Sequence, residues 1–498
     1  MIAGSMWQKA FGTAAVCVLC FALGACALGN WPSDGSGASS REVTLDPADP
    51  VQIELWTYYT GAQQRAFEAS LEEFNATRGK DVGVVAVHMS QGSVSDLSAA
   101  VIDAAQGRVG ADEMPDAFLS YPDTALVVDG LGLVADLSGY FSDEEQAAFV
   151  DAFLAEGDLD GNGSIKLVPV GKSIETLQIN MTDWQKFAEA TGADLDDLRT
   201  VEGITATAER YYRWTDARTP DIADDGLPFF GRDALASYLR AGSRQLGHDI
   251  LTVSDGKMEM TIDEETIRTL WDNYYVPLMN GHFSDEERFR SDAVKTGGLI
   301  CFVGSTSSAV YFPASVTVDD SSSYPIEFGS LPAPVFEHGV PCTMQQGAGF
   351  AVAKSDDRSE QACVEFLKWL TAREHNTAFA MASGYVPVTK DALTFENIGA
   401  AAAGGSPAPV TYLANLPATL ETIEAGTSMS VASKNGLKAR AVLSQSLREW
   451  VAADQDLVSQ AVAAGIPREK AAAALTTDEN FEAWLATLKS ELQTALDR

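Results

Sequence analysis

Cations are scarce in this chain: 34 Lys and Arg stand against 70 Asp and Glu, a formal net charge of -36. Nucleic acid and anionic membrane surfaces would be repelled by that balance, so neither is an expected partner. Histidine is nearly missing, with 5 scattered residues, and no Cys/His spacing suits zinc. The patterns G-x-S-x-G and H-E-x-x-H do not occur, which removes the commonest hydrolase signatures. Gly171-Lys172-Ser173 looks like the end of a phosphate-binding loop, but Lys166 stands where that loop needs its first glycine. Gly304 to Ser308, "GSTSS", reads as a loop of small hydrogen-bonding residues rather than a nucleophile site. Catalytic residues are therefore assigned to none, and no internal repeat is found.

Long apolar runs are also lacking. Ala10 to Leu23 falls short of the roughly 20 residues a spanning helix needs and has the length of a signal-peptide core. It follows one cation, Lys9, and ends in Leu23-Gly24-Ala25-Cys26. Small residues directly before a cysteine resemble the lipobox of bacterial lipoproteins. That implies a signal peptide over 1–25, cleavage before Cys26 and a lipid on its thiol; an ordinary signal peptide is the alternative. Residues 26–50 are rich in turn formers and suit a flexible tether. Of 6 cysteines, Cys17 and Cys20 leave with the signal peptide and Cys26 is lipidated. The remaining three allow at most one disulfide, with Cys301–Cys342 as the candidate outside the cytoplasm. Cys363 sits at an apolar helix position and reads as a buried thiol.

What is present is ample core, 46% hydrophobic in 498 residues, enough for one large two-lobed body or several domains. "VQIELWTYY" (Val51 to Tyr59) alternates like a half-buried strand. The helix after it places Phe67, Leu71 and Phe74 on one face. "GVVAVHMS" (Gly83 to Ser90) and "MPDAFLSY" (Met114 to Tyr121) supply further strands. This rhythm predicts an α/β domain with a mostly parallel sheet. Ligands of such sheets sit beyond the carboxyl ends of the strands, which puts Tyr58, Tyr59, Tyr121 and Asp123 at one crevice.

"DLDGNGSI" (Asp158 to Ile165) matches the first half of a calcium loop, with Asp158, Asp160, Asn162 and Ser164 as candidate ligands. The twelfth position, which should carry a bidentate Glu, is Pro169. The same residues suit a plain turn between the helix "DEEQAAFVDAFLAEG" and a strand over Ser164 to Asn180. A structural calcium and a turn both remain open; no other cofactor is expected.

Farther on, "GAGFAVAKS" (Gly347 to Ser355) reads as a strand and "EQACVEFLKWLTA" as a helix with Ala362, Phe366 and Leu370 in one row. Gly399 to Pro409 reads as a flexible loop. From about Val410 only helices are expected.

Four ordered segments resemble the family 1 extracellular solute-binding proteins of bacterial ABC importers, the maltose-, oligosaccharide- and glycerol-3-phosphate-binding group. They are "IELWTYYTGAQQRAFEASLEEFN", "PDAFLSYPDTALVVDGLGLVADLSGYF", "LVPVGKSIETLQINMTDW" and the stretch from "GAGFAVAKS" to "GYVPV". "QIN" departs from the aromatic residues usual before that Asn. The resemblance implies a two-lobed periplasmic-binding-protein-like fold of type II with a helical C-terminal segment. Lobe one would be 51–171 plus 343–386, and lobe two 172–342 plus 387–498. Ligand would sit between them, captured by hinge closure and handed to a membrane permease. Ser173, beside the first crossing, and Tyr385, in the Gly-Tyr motif, carry over as ligand contacts.

Flat aromatic rings and small hydrogen-bonding groups are what a carbohydrate site needs. Phe230, Gly304, Ser305, Thr306, Gln345 and Gln346 complete the candidate set. The expected partners are a carbohydrate or polyol, the permease subunits and the membrane through the lipid, with the chain a monomer at the cell surface. Two alternatives differ in cargo or class. A glycerol-phosphate ligand needs a cation cluster, for which Lys438 and Arg440 are the late candidates. A secreted glycan-processing enzyme would need paired carboxylates, for which Asp123 and Glu175 qualify.

Overall fold

The computed structural model describes residues 44–254, 257–285, 289–429 and 432–497. The expected signal peptide, Cys26 and most of the expected tether lie outside the described residues. Among those described, no helix is long and apolar enough to cross a membrane.

Two sheets organise the chain. The first runs in the order Val84–Ser90, Val51–Thr57, Ala117–Ser120, Gly349–Val352, Val168–Pro169. Its first three strands are parallel, and Gly349–Val352 runs against both neighbours. Val51–Thr57 is central, so Ile53, Leu55 and Trp56 are all buried although they point to opposite faces. Helix Gly61–Ala76 covers one face with Phe67, Leu71 and Phe74, as its spacing predicts. The second sheet has the order Phe328–Pro332, Glu175–Asn180, Cys301–Ser305, Phe230–Arg232, the last pair parallel and the others antiparallel.

Each sheet has its own core. One draws on residues from Ile53 to Val170 and from Ala348 to Val388. The other runs from Leu177 to Phe336 and then takes Ala439 to Leu492 from the late helices. The architecture is α/β, two packed bodies joined by crossing segments.

The structure corrects several expectations. The strand expected over Ser164 to Asn180 is two strands in different sheets, Val168–Pro169 and Glu175–Asn180, with 170–174 crossing between them. Every residue from Leu167 to Asn180 is buried, so the apolar pattern runs on while the backbone changes sheets. Pro169 has no N–H to extend the first ladder. The helix expected over "DEEQAAFVDAFLAEG" is broken at Phe149, which is extended and bridges to Thr389. Gly399 to Ala403, expected as loop, continue helix Phe395–Ala403. Thr427–Ser428, inside the region expected to be all helix, pairs with Thr343–Met344. Cys301, Cys342 and Cys363 are all free, so the disulfide does not form; the Cys301 thiol lies in its strand against the Phe229 carbonyl at 3.7 Å.

Candidate functional site

The topology decides which ends of the two sheets meet. Val168–Pro169 runs parallel to Ala117–Ser120, since both oppose Gly349–Val352. Its chain therefore leaves lobe one at the same edge as the carboxyl ends of the parallel strands. It enters the second sheet at Glu175, opposite Ser305, at the carboxyl ends of Cys301–Ser305 and Phe230–Arg232. Both carboxyl edges thus face the crossing, where ligands of α/β sheets sit.

The crossing segments are stitched together. Ser173 and Gln346 exchange backbone hydrogen bonds at 2.9 and 2.7 Å, and Lys172 and Val386 at 3.2 and 2.7 Å. Gly347 has φ +95°, and a Cβ there would stand 2.7 Å from the Gly171 carbonyl oxygen. Only glycine lets the two crossings lie this close.

Three tyrosines gather at lobe one's edge. Tyr58 and Tyr121 are half-buried, their rings near parallel at 6.5 Å and 14°. The Tyr58 hydroxyl accepts from the Ala348 N–H at 3.4 Å and is hydrogen-bonded to Tyr385. Burial, the largest cause, holds the phenols of Tyr58, Tyr121 and Tyr385 above the usual range. Gln346 reaches across to Ser237 of helix Leu235–Gln245 at 3.4 Å. On lobe two's edge, Ser305 caps the turn Thr306–Tyr311 by accepting from the Ser308 N–H, and the Thr306 N–H donates to the Ile174 carbonyl. Tyr58, Tyr121, Ser173, Ser305, Thr306, Gln346 and Tyr385 therefore lie on or beside one junction.

Other candidates have different places. Tyr59 is 1% exposed, packed on Phe67, Phe379 and Tyr385, and belongs to the core. Phe230 is equally buried against Phe283, its backbone rather than its ring belonging to the sheet edge. Gly304 offers close approach, not contact: a Cβ would meet the Asp233 carboxylate at 2.7 Å. Gln345 turns inward and donates to the Ala152 carbonyl at 3.1 Å. Asp123 is committed within the protein, paired with Arg440 and accepting from the Ser433 N–H at 2.9 Å. Lys438 is exposed. In the acidic loop the Asp158 carboxylate accepts from the backbone N–H groups of Asn162 and Gly163 at 3.1 and 2.9 Å, and Asn162 accepts from Ser164. Those bonds make a turn, and among the described residues no group of three or more His, Cys, Asp or Glu could hold a metal ion.

Charged groups complete the junction, among them Glu175, one of the two candidate carboxylates. Lys172 is 1% exposed, paired with Glu156 and donating to the Gly347 carbonyl at 2.8 Å. Burial raises the Glu175 carboxyl to about 7, against the pull of Arg232 and with a push from Asp233. Arg232 lies over the Tyr238 ring at 4.3 Å. The local sequence marks Glu175 as a carboxylate but not its burial, which the surrounding fold decides.

The family model for bacterial extracellular solute-binding proteins matches residues 69–404, well over half the chain. No curated protein matches it. Among solved structures, the cyclic alpha-maltosyl-1,6-maltose binding protein of Arthrobacter globiformis is 17% identical with a TM-score of 0.64, covering 90% of this chain and 99% of that one. UgpB of Mycobacterium tuberculosis, in complex with glycerophosphocholine, is 18% identical with a TM-score of 0.61 over 90% and 99%. The Thermus thermophilus maltotriose binding protein is 15% identical with a TM-score of 0.57 over 89% and 100%. These likenesses establish the type II periplasmic-binding-protein fold, in agreement with the two sheets and the crossings between them. By the match of its sequence, this chain belongs to the bacterial extracellular solute-binding proteins.

Proposed function

We propose that the chain captures a carbohydrate or polyol for an ABC importer, working outside the cytoplasm as a monomer held to the membrane by a lipid on Cys26. The observation that carries this reading is the pair of half-buried, near-parallel rings, Tyr58 and Tyr121, beside the crossing and within one junction with Gln346 and Ser305. Aromatic faces cover the apolar faces of a sugar ring, and amide and hydroxyl groups meet its hydroxyls. The lobe built on the first sheet turns against the lobe built on the second, about the crossings. A solute touching both stabilises the closed state, and the permease reads that state. No bond is made or broken.

The experiment is calorimetric titration and thermal unfolding of the mature chain with maltose, maltotriose, polyols and glycerol phosphates, with calcium and a chelator tested separately. A solute at about a hundred times its Kd adds about 2.7 kcal/mol to stability. Binding of a sugar or polyol without products, weakened about tenfold by Tyr121→Ala at unchanged melting temperature, supports the reading. Turnover of a glycan would replace it with the enzyme alternative. A shift with calcium alone would make the acidic loop a metal site.

A further inference from the structure

One carboxylate of lobe one is held entirely by groups of lobe two. Asp123 stands at the second position of helix Pro122–Asp129, whose Ala125 and Val128 belong to the first core, two residues after the Tyr121 ring. It is 1% exposed, accepts from the Ser433 N–H at 2.9 Å and pairs with Arg440. Both partners come from the start of helix Gly436–Ala463, which packs Ala439, Leu443, Leu447 and Val451 into the second core. Burial raises the Tyr121 phenol, and the Arg440 charge is among the groups that pull it back. The contact between the lobes therefore lies at the edge where the rings are.

The long helix has no cap of its own. Asn435, at the cap position, makes no capping bond; its amide donates to the Leu496 carbonyl at 2.8 Å instead. The first turn carries no acid. The free N–H groups and the positive dipole end of such a helix favour an anion there. Asp123 supplies it from the other lobe. Gly436 makes the room, since a Cβ at that position would stand 2.3 Å from the Asp123 carboxylate. Gly436 is a helical residue without a positive φ, so the approach of Asp123, not the backbone, is what asks for glycine.

We propose that Asp123 is an interlobe latch, made only when the lobes are closed, which caps lobe two's long helix from lobe one and so fixes how much closed state exists before solute arrives. The inference rests on capture between the lobes and deepens it, because affinity is then set by the latch as well as by the groups that touch the solute. The apparent Kd rises as the closed fraction of the solute-free chain falls.

The test is small-angle X-ray scattering of the solute-free mature chain, followed by stopped-flow binding of maltotriose. Asp123→Asn keeps the shape of the side chain and removes its charge; its radius of gyration should exceed the parent's. Gly436→Ala keeps both charges and places a methyl where the carboxylate sits. It should open the chain in the same way, and alanine, the better helix former, leaves the helix itself intact. Both variants should associate with maltotriose faster than the parent, release it faster still, and bind about tenfold more weakly. Equal radii in the parent and both variants overturn the latch, and so does opening in Asp123→Asn alone. Wider radii with an unchanged maltotriose Kd also overturn it, since closure before solute would then have no hold on affinity. If neither maltotriose nor any other sugar or polyol binds the parent, the capture reading falls, while the solute-free radii still decide whether Asp123 holds the lobes together.

Discussion

Lys172 shows how much a single residue can be asked to hold. Its ammonium is buried at the first crossing, paired with Glu156 and bonded to the Gly347 carbonyl of the second. Removing one partner of a buried pair leaves an uncompensated charge, which costs about 3–5 kcal/mol. Lys172→Met should lose that much in urea unfolding, and Lys172→Met with Glu156→Gln should recover a large part of it. Glu175 makes a second residue-scale prediction through pH. Its folded pKa of about 7 lies above the ordinary carboxyl value near 4.5. Below the lower value both states hold the proton, and the group has no effect. Between the two values the folded state keeps a proton that the unfolded state has released, so stability falls as pH rises, and above about 7 the loss is complete. Glu175→Gln stays neutral throughout. Its stability relative to the parent should therefore climb from near zero at the acid end to on the order of 3 kcal/mol at mildly alkaline pH. A flat difference across that window would show that Glu175 is not held protonated.

At the scale of elements, the close approach of the two crossings depends on glycine. Gly347→Ala would place a Cβ on the Gly171 carbonyl at a positive φ, combining a clash with left-handed strain of about 1–3 kcal/mol. The variant should melt lower and bind solute more weakly, both effects tracing to the crossings. If stability falls while affinity is untouched, the crossings are a structural tie without a part in closure. Helix Gly436–Ala463 is the other element that spans the junction: its buried face joins lobe two's core while Arg440 pairs with Asp123 of lobe one.

For the whole molecule, the net charge of -36 sets the response to salt. Self-repulsion opposes the compact state and is screened over a Debye length of about 10 Å at 0.1 M. The melting temperature of the solute-free chain should therefore rise with added sodium chloride, although the buried pairs at the junction change little. The proposed hinge closure makes a further whole-molecule prediction. Scattering in solution should give a smaller radius of gyration when a binding solute is present, and an unchanged radius would leave capture without closure.

The strands Val51–Thr57, Val84–Ser90 and Ala117–Ser120, the Phe67–Leu71–Phe74 helix face and the α/β class were legible in the sequence, because period and turn chemistry are local properties of the chain. So were Tyr58 and Tyr121 at the strand ends, since topology alone sends those ends to one edge. The change of sheet inside the apolar run Leu167 to Asn180 was not legible: burial on both sides reads the same whichever sheet receives the strand. Tyr59 and Phe230 looked like ligand rings for the same reason, and only packing against Phe67 and Phe283 assigns them to the cores. The pairs Lys172–Glu156 and Asp123–Arg440 belong to the tertiary structure alone. A charge whose partner lies outside its own strand or helix has no local signature, so the sequence by itself determined the elements and their order, while the fold decided where charge is buried and what can answer it.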